Sequence, residues 1–416
     1  MTGSRSGGPS GGGTARHGLV IGKFYPPHAG HHHLIETAAQ HCRRLSVVVM
    51  AASRELVPLD DRVRWLRAAH RDLPGLEVVG VTDDVRIDYE DPEVWSRHVD
   101  LVEAALARMV VTAVRPGEEG PSTDVDRATS ATVDLVATSE PYGAELARRL
   151  GAAHLLVDQA RTAHPVSGTV VRADPVGCWE WLRHPVRAGL ARRVAVLGAE
   201  STGTTAVSRA LAERLRARSG VWSTTGWVPE YGRVYTEERV AVQRAQHAHA
   251  GRPGVPVVED LVWTPEDFTA VARRQQDLED AAAGAGSPVL VCDTDVFTTC
   301  VWHTRYVTAE RVGTAAASAI PWSGLPLPPG LRHLAESRRA DLYLLTEQDG
   351  VPFVQDGLRD GEHLRSWMTE EFRARLTETG RPWVSLTGTL GERVERALRA
   401  CDDLVSAGRT FAAPLG

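Results

Sequence analysis

A short segment near the beginning of the chain constrains the fold more than any other part of the sequence. The apolar run Gly18–Ile21 leads into a loop rich in Gly, Pro and His, residues 22–31, and then into a helix-like segment, His32–His41. A strand, a tight loop and a helix start in this order direct free backbone N–H groups and the positive helix end at an anion. The order predicts a phosphate-type site where the first strand ends.

The side chains of this loop fit a phosphate. His28 and His31 are three residues apart with Gly30 between them, so both rings can face one phosphate group. Lys23 stands beside them and is the only lysine among the 47 Lys and Arg residues of the chain. A single lysine at this position indicates a role in neutralising charge. A surface turn with incidental histidines is the alternative.

A second motif, Ser167-Gly168-Thr169-Val170-Val171-Arg172, follows about one small domain later. The ordered pair of motifs, His-x-Gly-His after Gly-Lys-Phe-Tyr-Pro and then Ser-x-Thr-x-x-Arg, resembles the nucleotidyltransferase superfamily. This resemblance implies that His28 and His31 bind and polarise the phosphates of ATP. It also implies that Lys23 and Arg172 neutralise the leaving pyrophosphate, which suits a reaction that depends on positioning and charge stabilisation. Further nucleotide contacts implied by it are Gly22, Phe24, Tyr25, Gly30, Ser167 and Thr169.

Length and composition limit the remaining possibilities. A chain of 416 residues exceeds one typical core, so we expect two domains. The net charge of −6 argues against nucleic-acid binding, and no apolar run approaches a membrane span, so we expect no membrane insertion. Five widely spaced cysteines without a Cys-x-x-Cys pair fit a reducing, cytoplasmic location. Residues 1–17 are rich in Gly and Ser and are predicted to be a disordered tail, not a signal peptide.

The pattern between residues 18 and 185 predicts a doubly wound parallel α/β sheet, because apolar runs alternate with helix-like segments. A loop at residues 115–127 is expected to cross the surface. A second α/β domain is predicted over residues 186–416. Residues 240–258 lack periodicity and are predicted to be a loop or an insertion. The apolar runs of the first domain are Leu45–Ala51, Leu76–Val81, Val133–Thr138 and His154–Val157.

The second domain opens with another phosphate-type loop. The strand Val194–Leu197 runs into Gly-Ala-Glu-Ser-Thr-Gly-Thr-Thr, which has the frame of a P-loop. Thr204 stands where a P-loop has its lysine, so the cation that normally bridges the β- and γ-phosphates is missing. The backbone can still form an anion nest, and Thr205 can still bind Mg²⁺. The residues predicted to contact nucleotide here are Gly198, Glu200, Ser201, Thr202, Gly203, Thr204 and Thr205.

Acidic and basic residues further along support this interpretation. The apolar strand Pro288–Cys292 ends in Asp293-Thr294-Asp295, where carboxylates could hold Mg²⁺ or accept a proton. A helix cap is the alternative for one of the two aspartates. Asp356-Gly357-Leu358-Arg359 resembles a mobile lid whose arginine folds onto the transferred phosphate, with a simple Asp-Gly turn as the alternative.

The two domains together resemble the NadR-type bifunctional enzymes. This resemblance implies that the second domain phosphorylates the 5′-hydroxyl of nicotinamide riboside with ATP. It further implies that the first domain joins nicotinamide mononucleotide to the AMP part of ATP, giving NAD and pyrophosphate. Some members also carry an N-terminal helix-turn-helix domain, for which the 17-residue tail leaves no room, so we expect no operator binding. The motifs that carry the resemblance are Gly22–His31, Arg62–Leu66, Ser167–Arg172, Gly198–Thr205, Glu230–Tyr235, Asp293–Thr299 and Asp356–Arg359.

The resemblance also suggests roles for individual side chains. Asp293 is expected to be the kinase base or Mg²⁺ anchor with Asp295 second, while Glu230 could hold ribose hydroxyls and Arg233 phosphate. Because nicotinamide riboside carries a cationic ring, stacking on Trp or Tyr is favourable. Trp95 is the candidate in the first domain; Trp227, Tyr231, Trp302 and Tyr306 are those in the second, with packing in the core as the alternative for each. Arg62 and Arg64 could hold substrate phosphate or belong to a solvated helix face.

Four interpretations of the function of the chain stay open at this point. The first is an active bifunctional enzyme that uses ATP and Mg²⁺. The second keeps the adenylyltransferase but makes the Thr204-bearing domain a sensor of ATP or NAD; Asp293, Asp295 and Arg359 favour the first. A DNA-binding regulator and a different acceptor, such as pantetheine phosphate or a cytidylyl substrate, are less consistent with the motifs. Related enzymes form oligomers, so a homo-oligomer is also an open expectation.

Overall fold

The computed structural model describes residues 14–113, 132–359 and 361–414. Two compact units are present, one running to Val186 and including a segment from Arg409 onwards, the other spanning Arg187–Gly408. The first 13 residues of the predicted tail and the predicted surface loop 115–127 lie outside the described residues. Within the described part, no helix is long and apolar enough to cross a membrane.

The first unit contains a five-stranded sheet in which every pair of neighbours is parallel, in the order β3-β2-β1-β4-β5. Parallel strands require crossover connections, and helices supply these connections here. The strands are β1 Ala15–Gly22, β2 Cys42–Ala51, β3 Leu76–Thr82, β4 Leu135–Thr138 and β5 Ala153–Leu156. The helices are α1 Ala29–Gln40, α2 Leu59–Ala69, α3 Pro92–Ala113, α4 Gly143–Leu150, α5 Gly168–Ala173 and, at the boundary of the units, α6 His184–Leu190.

Strand β1 begins inside the segment predicted to be a disordered tail. Ala15 pairs with Cys42 of β2, and the ring of His17 is buried with its Nε2 atom 2.8 Å from the Ser46 hydroxyl. Backbone pairing and this buried polar contact order residues 15–17, which are polar or small and therefore carry no hydrophobic strand signal.

The second unit also has a five-stranded parallel sheet, in the order β10-β9-β6-β8-β7. The strands are β6 Arg192–Gly198, β7 Gly226–Val228, β8 Val289–Asp293, β9 Leu342–Thr346 and β10 Trp383–Leu386. The helices are α7 Thr204–Arg216, α8 Tyr231–His249, α9 Pro265–Ala285, α10 Val296–His303, α11 Glu310–Val312, α12 Thr314–Ala319, α13 Pro329–Ser337, α14 Arg365–Glu378 and α15 Leu390–Ser406. The predicted architecture of two doubly wound parallel sheets is confirmed.

Helix α8 corrects the sequence prediction of a loop or insertion over residues 240–258. The helix continues to His249, and Val240 is its one buried residue. Ala, Gln and Arg are good helix formers, so the backbone preference is helical, but a helix with almost no buried face lacks the hydrophobic period that would reveal it.

In each sheet the strand order reverses at a central strand, so that successive strands are added first on one side of it and then on the other. Strand β1 lies between β2 and β4, and β6 lies between β8 and β9. Such a switch point leaves a crevice at the carboxyl ends of the strands, where ligands bind in doubly wound sheets. The two phosphate-type loops follow β1 and β6 directly, so each unit has its candidate site at this crevice.

Candidate functional site

The first cavity, with a volume of about 430 Å³, lies beyond the end of β1. His28 and His31 line it with their rings stacked, 3.7 Å apart between centroids. The backbone N–H of His28 donates to Nδ1 of His31 over 3.3 Å, which joins the loop to the first turn of α1. Gly30 leaves room for the His28 ring, because a Cβ at this position would lie 3.3 Å from it and the ring would have to shift. The spacing of the motif thus brings two imidazoles to one point.

Both imidazoles are neutral at physiological pH. Burial, reinforced by the charges of Arg161, His164 and Arg172, lowers the pKa of His28 to about 3. Burial likewise lowers the pKa of His31 well below its usual value. The buried Nδ1 atom of His28 has no hydrogen-bond partner among the described residues. A phosphate oxygen in the cavity would therefore be bound by neutral ring N–H groups, with the positive charge supplied by other residues.

Lys23 and Arg172 supply positive charge to the same cavity, where Arg161 is a third cation. Arg172 donates to the carbonyl oxygen of Tyr25 over 2.7 Å and to the Thr169 hydroxyl over 3.2 Å. Burial lowers the pKa of Lys23, against the opposing effect of nearby carboxylates. The structure therefore brings together the predicted residues of the two motifs and Trp95: Gly22, Lys23, Phe24, Tyr25, His28, Gly30, His31, Trp95, Ser167, Thr169 and Arg172.

An aromatic wall faces this cavity, and the sequence motifs identified only one of its members. Trp95 lies 6.1 Å from Tyr89, whose ring is parallel to that of Tyr142 at 6.2 Å. The indole N–H of Trp95 donates to the carbonyl oxygen of Tyr89 over 3.1 Å. Tyr89 and Tyr142 were not predicted because no local pattern distinguishes a tyrosine beside a cavity from one in the core.

Arg62 and Arg64 do not reach the cavity. Arg62 is fully buried in an ion pair of 2.6 Å with Glu55, and it donates to the carbonyl oxygen of Lys23 over 2.9 Å. Arg64 is exposed and pairs with Asp61 at 2.7 Å. Arg62 therefore stabilises the phosphate loop through its hydrogen bond to the Lys23 carbonyl oxygen, while Arg64 belongs to the solvated face of α2.

The second cavity, of about 510 Å³, lies where β6 ends. Gly198, Glu200, Ser201, Thr204 and Thr205 of the P-loop line it. Ser201 and Gly203 have positive φ angles of 58° and 88°, a backbone shape that turns successive N–H groups towards one point. Two loop residues that were predicted to contact nucleotide do not line the cavity. Thr202 is buried and its hydroxyl donates to the carbonyl oxygen of Ala199, while Gly203 is the N-cap of α7.

Asp293 ends β8 beside the P-loop and is only 3% exposed. Burial raises its pKa to about 6, although hydrogen bonds from the hydroxyls of Thr205 and Thr204 oppose this rise. Thr204 stands where a P-loop has its lysine, and its hydroxyl donates a hydrogen bond to the Asp293 carboxylate. Asp293 and Thr205 offer two hard oxygen ligands side by side, which suits Mg²⁺ with several waters retained.

Asp295 does not join this pair. Its Oδ1 atom accepts from the backbone N–H of Thr298 over 3.0 Å and caps α10, and its Oδ2 atom accepts from the Tyr343 hydroxyl over 2.8 Å. The carboxylate lies on a different, small cavity, so the predicted second metal ligand is a structural cap. Tyr231 also lies off the main cavity, with its ring against Tyr235.

Glu230, Arg233 and Arg359 complete the polar side of the second cavity. Burial, followed by the nearby charge of Asp293, raises the pKa of Glu230 to about 7. Arg359 donates to the Ser201 hydroxyl over 2.9 Å, and Arg233 is held 2.9 Å from Asp356. The segment predicted to be a lid thus rests against the P-loop, and Arg359, which also pairs with Asp356 at 3.5 Å, lines the cavity.

Aromatic residues form the opposite wall of the second cavity. Trp227, Trp302 and Tyr306 line it as predicted, together with Trp263, whose ring lies 5.7 Å from that of Tyr306. Arg305, buried in a π-helical turn at Thr304–Ala309, pairs with the P-loop Glu200 at 3.1 Å. No motif in the sequence identified Trp263 or Arg305, because both depend on contacts between distant segments.

Comparisons with known proteins agree with these two sites. A cytidylyltransferase-like family model matches residues 19–173, and an AAA-domain model matches residues 193–393. The trifunctional NAD biosynthesis/regulator protein NadR of Escherichia coli K12 is 25% identical over 356 residues, covering 82% of this chain and 71% of that protein. The same protein of Salmonella typhimurium LT2 matches with the same identity and coverage. The chain is a homologue of NadR.

Solved NadR structures share the whole fold. A NadR crystal structure in complex with NR has a TM-score of 0.65 and 20% identity, covering 96% of this chain and all of that one. Another, in complex with NAD and AMP-PNP, has a TM-score of 0.64 and 21% identity, covering 96% of this chain and 98% of that one. The NadR likeness therefore includes both units and the order in which they follow each other.

Proposed function

We propose that this NadR homologue makes NAD in two steps, each at its own cavity. The second unit phosphorylates the 5′-hydroxyl of nicotinamide riboside with ATP, and the first unit adenylylates the resulting mononucleotide. The observation that carries the proposal is that each unit has a phosphate-type loop lining a cavity at the switch point of its sheet. The stacked pair His28 and His31 marks the first site, and the P-loop beside Asp293 marks the second.

Adenylyl transfer at the first cavity needs no covalent intermediate. An oxygen of the mononucleotide phosphate attacks the α-phosphorus of ATP, and the bond to pyrophosphate breaks. The neutral rings of His28 and His31 donate hydrogen bonds to the phosphates, while Lys23 and Arg172 stabilise the charge that develops on the pyrophosphate. The aromatic wall around Trp95 suits the cationic nicotinamide ring.

For phosphoryl transfer at the second cavity, Asp293 is the proposed proton acceptor. The 5′-hydroxyl of the riboside attacks the γ-phosphorus of ATP, its proton passes to the Asp293 carboxylate, and ADP leaves. A buried carboxylate with a pKa of about 6 is a better proton acceptor than an ordinary one and is still ionised at neutral pH. Glu230 is placed to bind the ribose diol, and the wall formed by Trp263, Trp302 and Tyr306 to hold the nicotinamide ring. Asp293 and Thr205 would bind Mg²⁺, which neutralises charge on the nucleotide phosphates when it is present.

Arg359 is our candidate for the charge that Thr204 cannot supply. Its guanidinium is bound to the P-loop through Ser201, and it lines the cavity. We expect Arg359→Ala to lower the riboside phosphorylation rate about 10²- to 10³-fold, in the range found when one donor to a transition-state charge is lost. Adding Thr204→Lys to this variant should recover at least about tenfold, because the new ammonium group would occupy the usual P-loop position. Steady-state kinase assays measure both effects.

Arg214→Ala is the matched control, since Arg214 lies on α7 but is exposed and pairs with Glu395. It should leave the rate unchanged. Full activity of the Arg359→Ala variant would remove Arg359 from the mechanism, and a double variant no faster than Arg359→Ala would show that the two positions do not share a role.

The pH dependence of phosphorylation should report Asp293. Because its pKa is raised to about 6, the carboxylate takes up a proton as the pH falls through 6, and the base is then lost. Bound Mg²⁺ favours the ionised carboxylate, so we expect the acid limb of kcat/KM for nicotinamide riboside to begin near pH 6 at limiting Mg²⁺ and to move to lower pH as Mg²⁺ approaches saturation. An acid limb whose position does not depend on the Mg²⁺ concentration would contradict the assignment.

Assays of the two half-reactions test the proposed function. The chain with ATP, Mg²⁺ and nicotinamide riboside should release ADP, and with ATP, Mg²⁺ and nicotinamide mononucleotide it should release pyrophosphate and form NAD. Pyrophosphate without ADP would favour the alternative that Thr204 suggests, in which the second unit senses ATP or NAD without transferring phosphate. The absence of both ADP and pyrophosphate would refute the proposal as a whole.

A further inference from the structure

The last described residues of the chain belong to the first unit, although they follow the final helix of the second. Helix α15 ends at Ser406, and the segment from Arg409 to Pro414, which we call the terminal segment, lies within the first compact unit. It has no regular secondary structure, yet Phe411, Ala412 and Pro414 are partly buried there. Its position is therefore determined by side-chain contacts with the first unit.

Two contacts attach the terminal segment to the phosphate site. The ring of Phe411 meets the ring of Tyr25 edge-on, with 5.8 Å between centroids. The carbonyl oxygen of Pro414 accepts a hydrogen bond from the Arg54 guanidinium over 3.1 Å. Pro414 also lines the first cavity, together with Lys23, His28 and Arg172.

Tyr25 connects the terminal segment with the phosphate-binding groups. Its side chain is almost completely buried, and the guanidinium groups of Arg62 and Arg172 lie over its ring at 4.3 Å and 5.1 Å. The carbonyl oxygen of Tyr25 is also the acceptor that orients Arg172. Phe411 thus packs on a tyrosine whose ring and backbone position the cation assigned to the leaving pyrophosphate.

Arg54 provides a second connection. Its positive charge is close enough to contribute to the lowered pKa of Lys23, after burial and the charge of Arg172. A carbonyl acceptor on the terminal segment therefore holds a cation at the edge of the group formed by Lys23 and Arg172.

We propose that the terminal segment completes the ATP-phosphate subsite of the first unit, with Phe411 as a positioning residue that acts through Tyr25. The inference rests on the adenylyl transfer proposed above. The segment forms part of the wall and does not fill the site, since a cavity of about 430 Å³ stays open with Pro414 in place. Its expected effect is on the binding of ATP phosphates, not on the chemical step.

Kinetics of three variants of the two-unit chain test this inference. Phe411→Ala should raise the KM for ATP in adenylyl transfer about 5- to 10-fold, the range expected for loss of an aromatic edge contact, and change kcat less than twofold. A chain ending at Gly408 should raise this KM at least as much, because it also loses the Arg54 contact. Phe411→Tyr, which keeps the ring, should restore the KM of the intact chain. Riboside phosphorylation by the second unit should be the same in all of them.

Thr410→Ala is the matched control, because Thr410 is the exposed neighbour of Phe411. An unchanged KM for ATP in both Phe411→Ala and the shortened chain would overturn the inference, as would a parallel loss of both activities, which would indicate a general effect on folding. Failure of the proposed function is separate, because the intact chain would then form no NAD from mononucleotide and ATP.

Discussion

Replacing His31 by Ala is expected to reduce NAD formation from mononucleotide and ATP about 10²- to 10³-fold, the usual effect of removing one donor to a transition-state charge. His31 is the imidazole stacked on His28 at 3.7 Å, and its ring nitrogen accepts the N–H that shapes the loop. The loss should appear in kcat as well as in kcat/KM, because the donor acts on charge that develops during transfer. Riboside phosphorylation by the same preparation should keep its full rate.

The control for this variant is His41→Ala. His41 follows the same helix, α1, but is exposed, and its ring Nδ1 atom bonds to the carbonyl oxygen of Thr37 at its own helix end. We expect both activities of His41→Ala to match those of the intact chain. Adenylyl transfer that survives His31→Ala within a factor of three would remove the histidine pair from the mechanism.

Asp293→Asn should impair riboside phosphorylation and spare NAD formation, the reverse of what is expected for His31→Ala. Asparagine keeps the size of the side chain but can neither accept a proton nor contribute negative charge to a Mg²⁺ site, so we expect phosphorylation of the riboside to fall by about 10³-fold or more. NAD formation from supplied mononucleotide should be unaffected. Separate assays of ADP release and pyrophosphate release measure the two effects in one protein sample.

Asp295→Asn separates the two aspartates that follow β8. Asp295 caps α10 and accepts from Tyr343, so its replacement should lower the melting temperature by a few degrees, while asparagine, also a good cap, preserves the helix. We expect its phosphorylation rate to stay within threefold of the intact chain. Equal losses in the two variants would contradict the assignment of Asp293 as the only proton acceptor of the pair.

The two phosphate loops could be predicted because each is encoded by a contiguous stretch of chain. A strand, a loop with glycine at fixed positions and a helix start are local features, and the residues of one loop meet without help from distant segments. The same holds for Asp293 at the end of β8, because the carboxyl ends of parallel strands share one edge of the sheet. The fold class followed from the repetition of these local units.

The residues that were misassigned depend on partners far away in the sequence. Asp295 is turned from the cavity by Tyr343, which comes 48 residues later. Arg62 looks like a surface arginine on a helix, but the burial of Glu55 beside it makes it an internal ion pair. A sequence pattern records residue types along one segment, whereas the direction of a polar side chain is decided by whichever group can satisfy its charge or hydrogen bonds.

The direct test is a time course of products from the purified chain with ATP, Mg²⁺ and nicotinamide riboside labelled in its nicotinamide ring. We predict that labelled mononucleotide rises first and that labelled NAD then accumulates at its expense, with ADP formed in the first step and pyrophosphate in the second. This order requires both cavities to be active and shows that Thr204 is compatible with phosphoryl transfer. Riboside that stays unphosphorylated, while added mononucleotide is still converted to NAD, would contradict the two-step reaction.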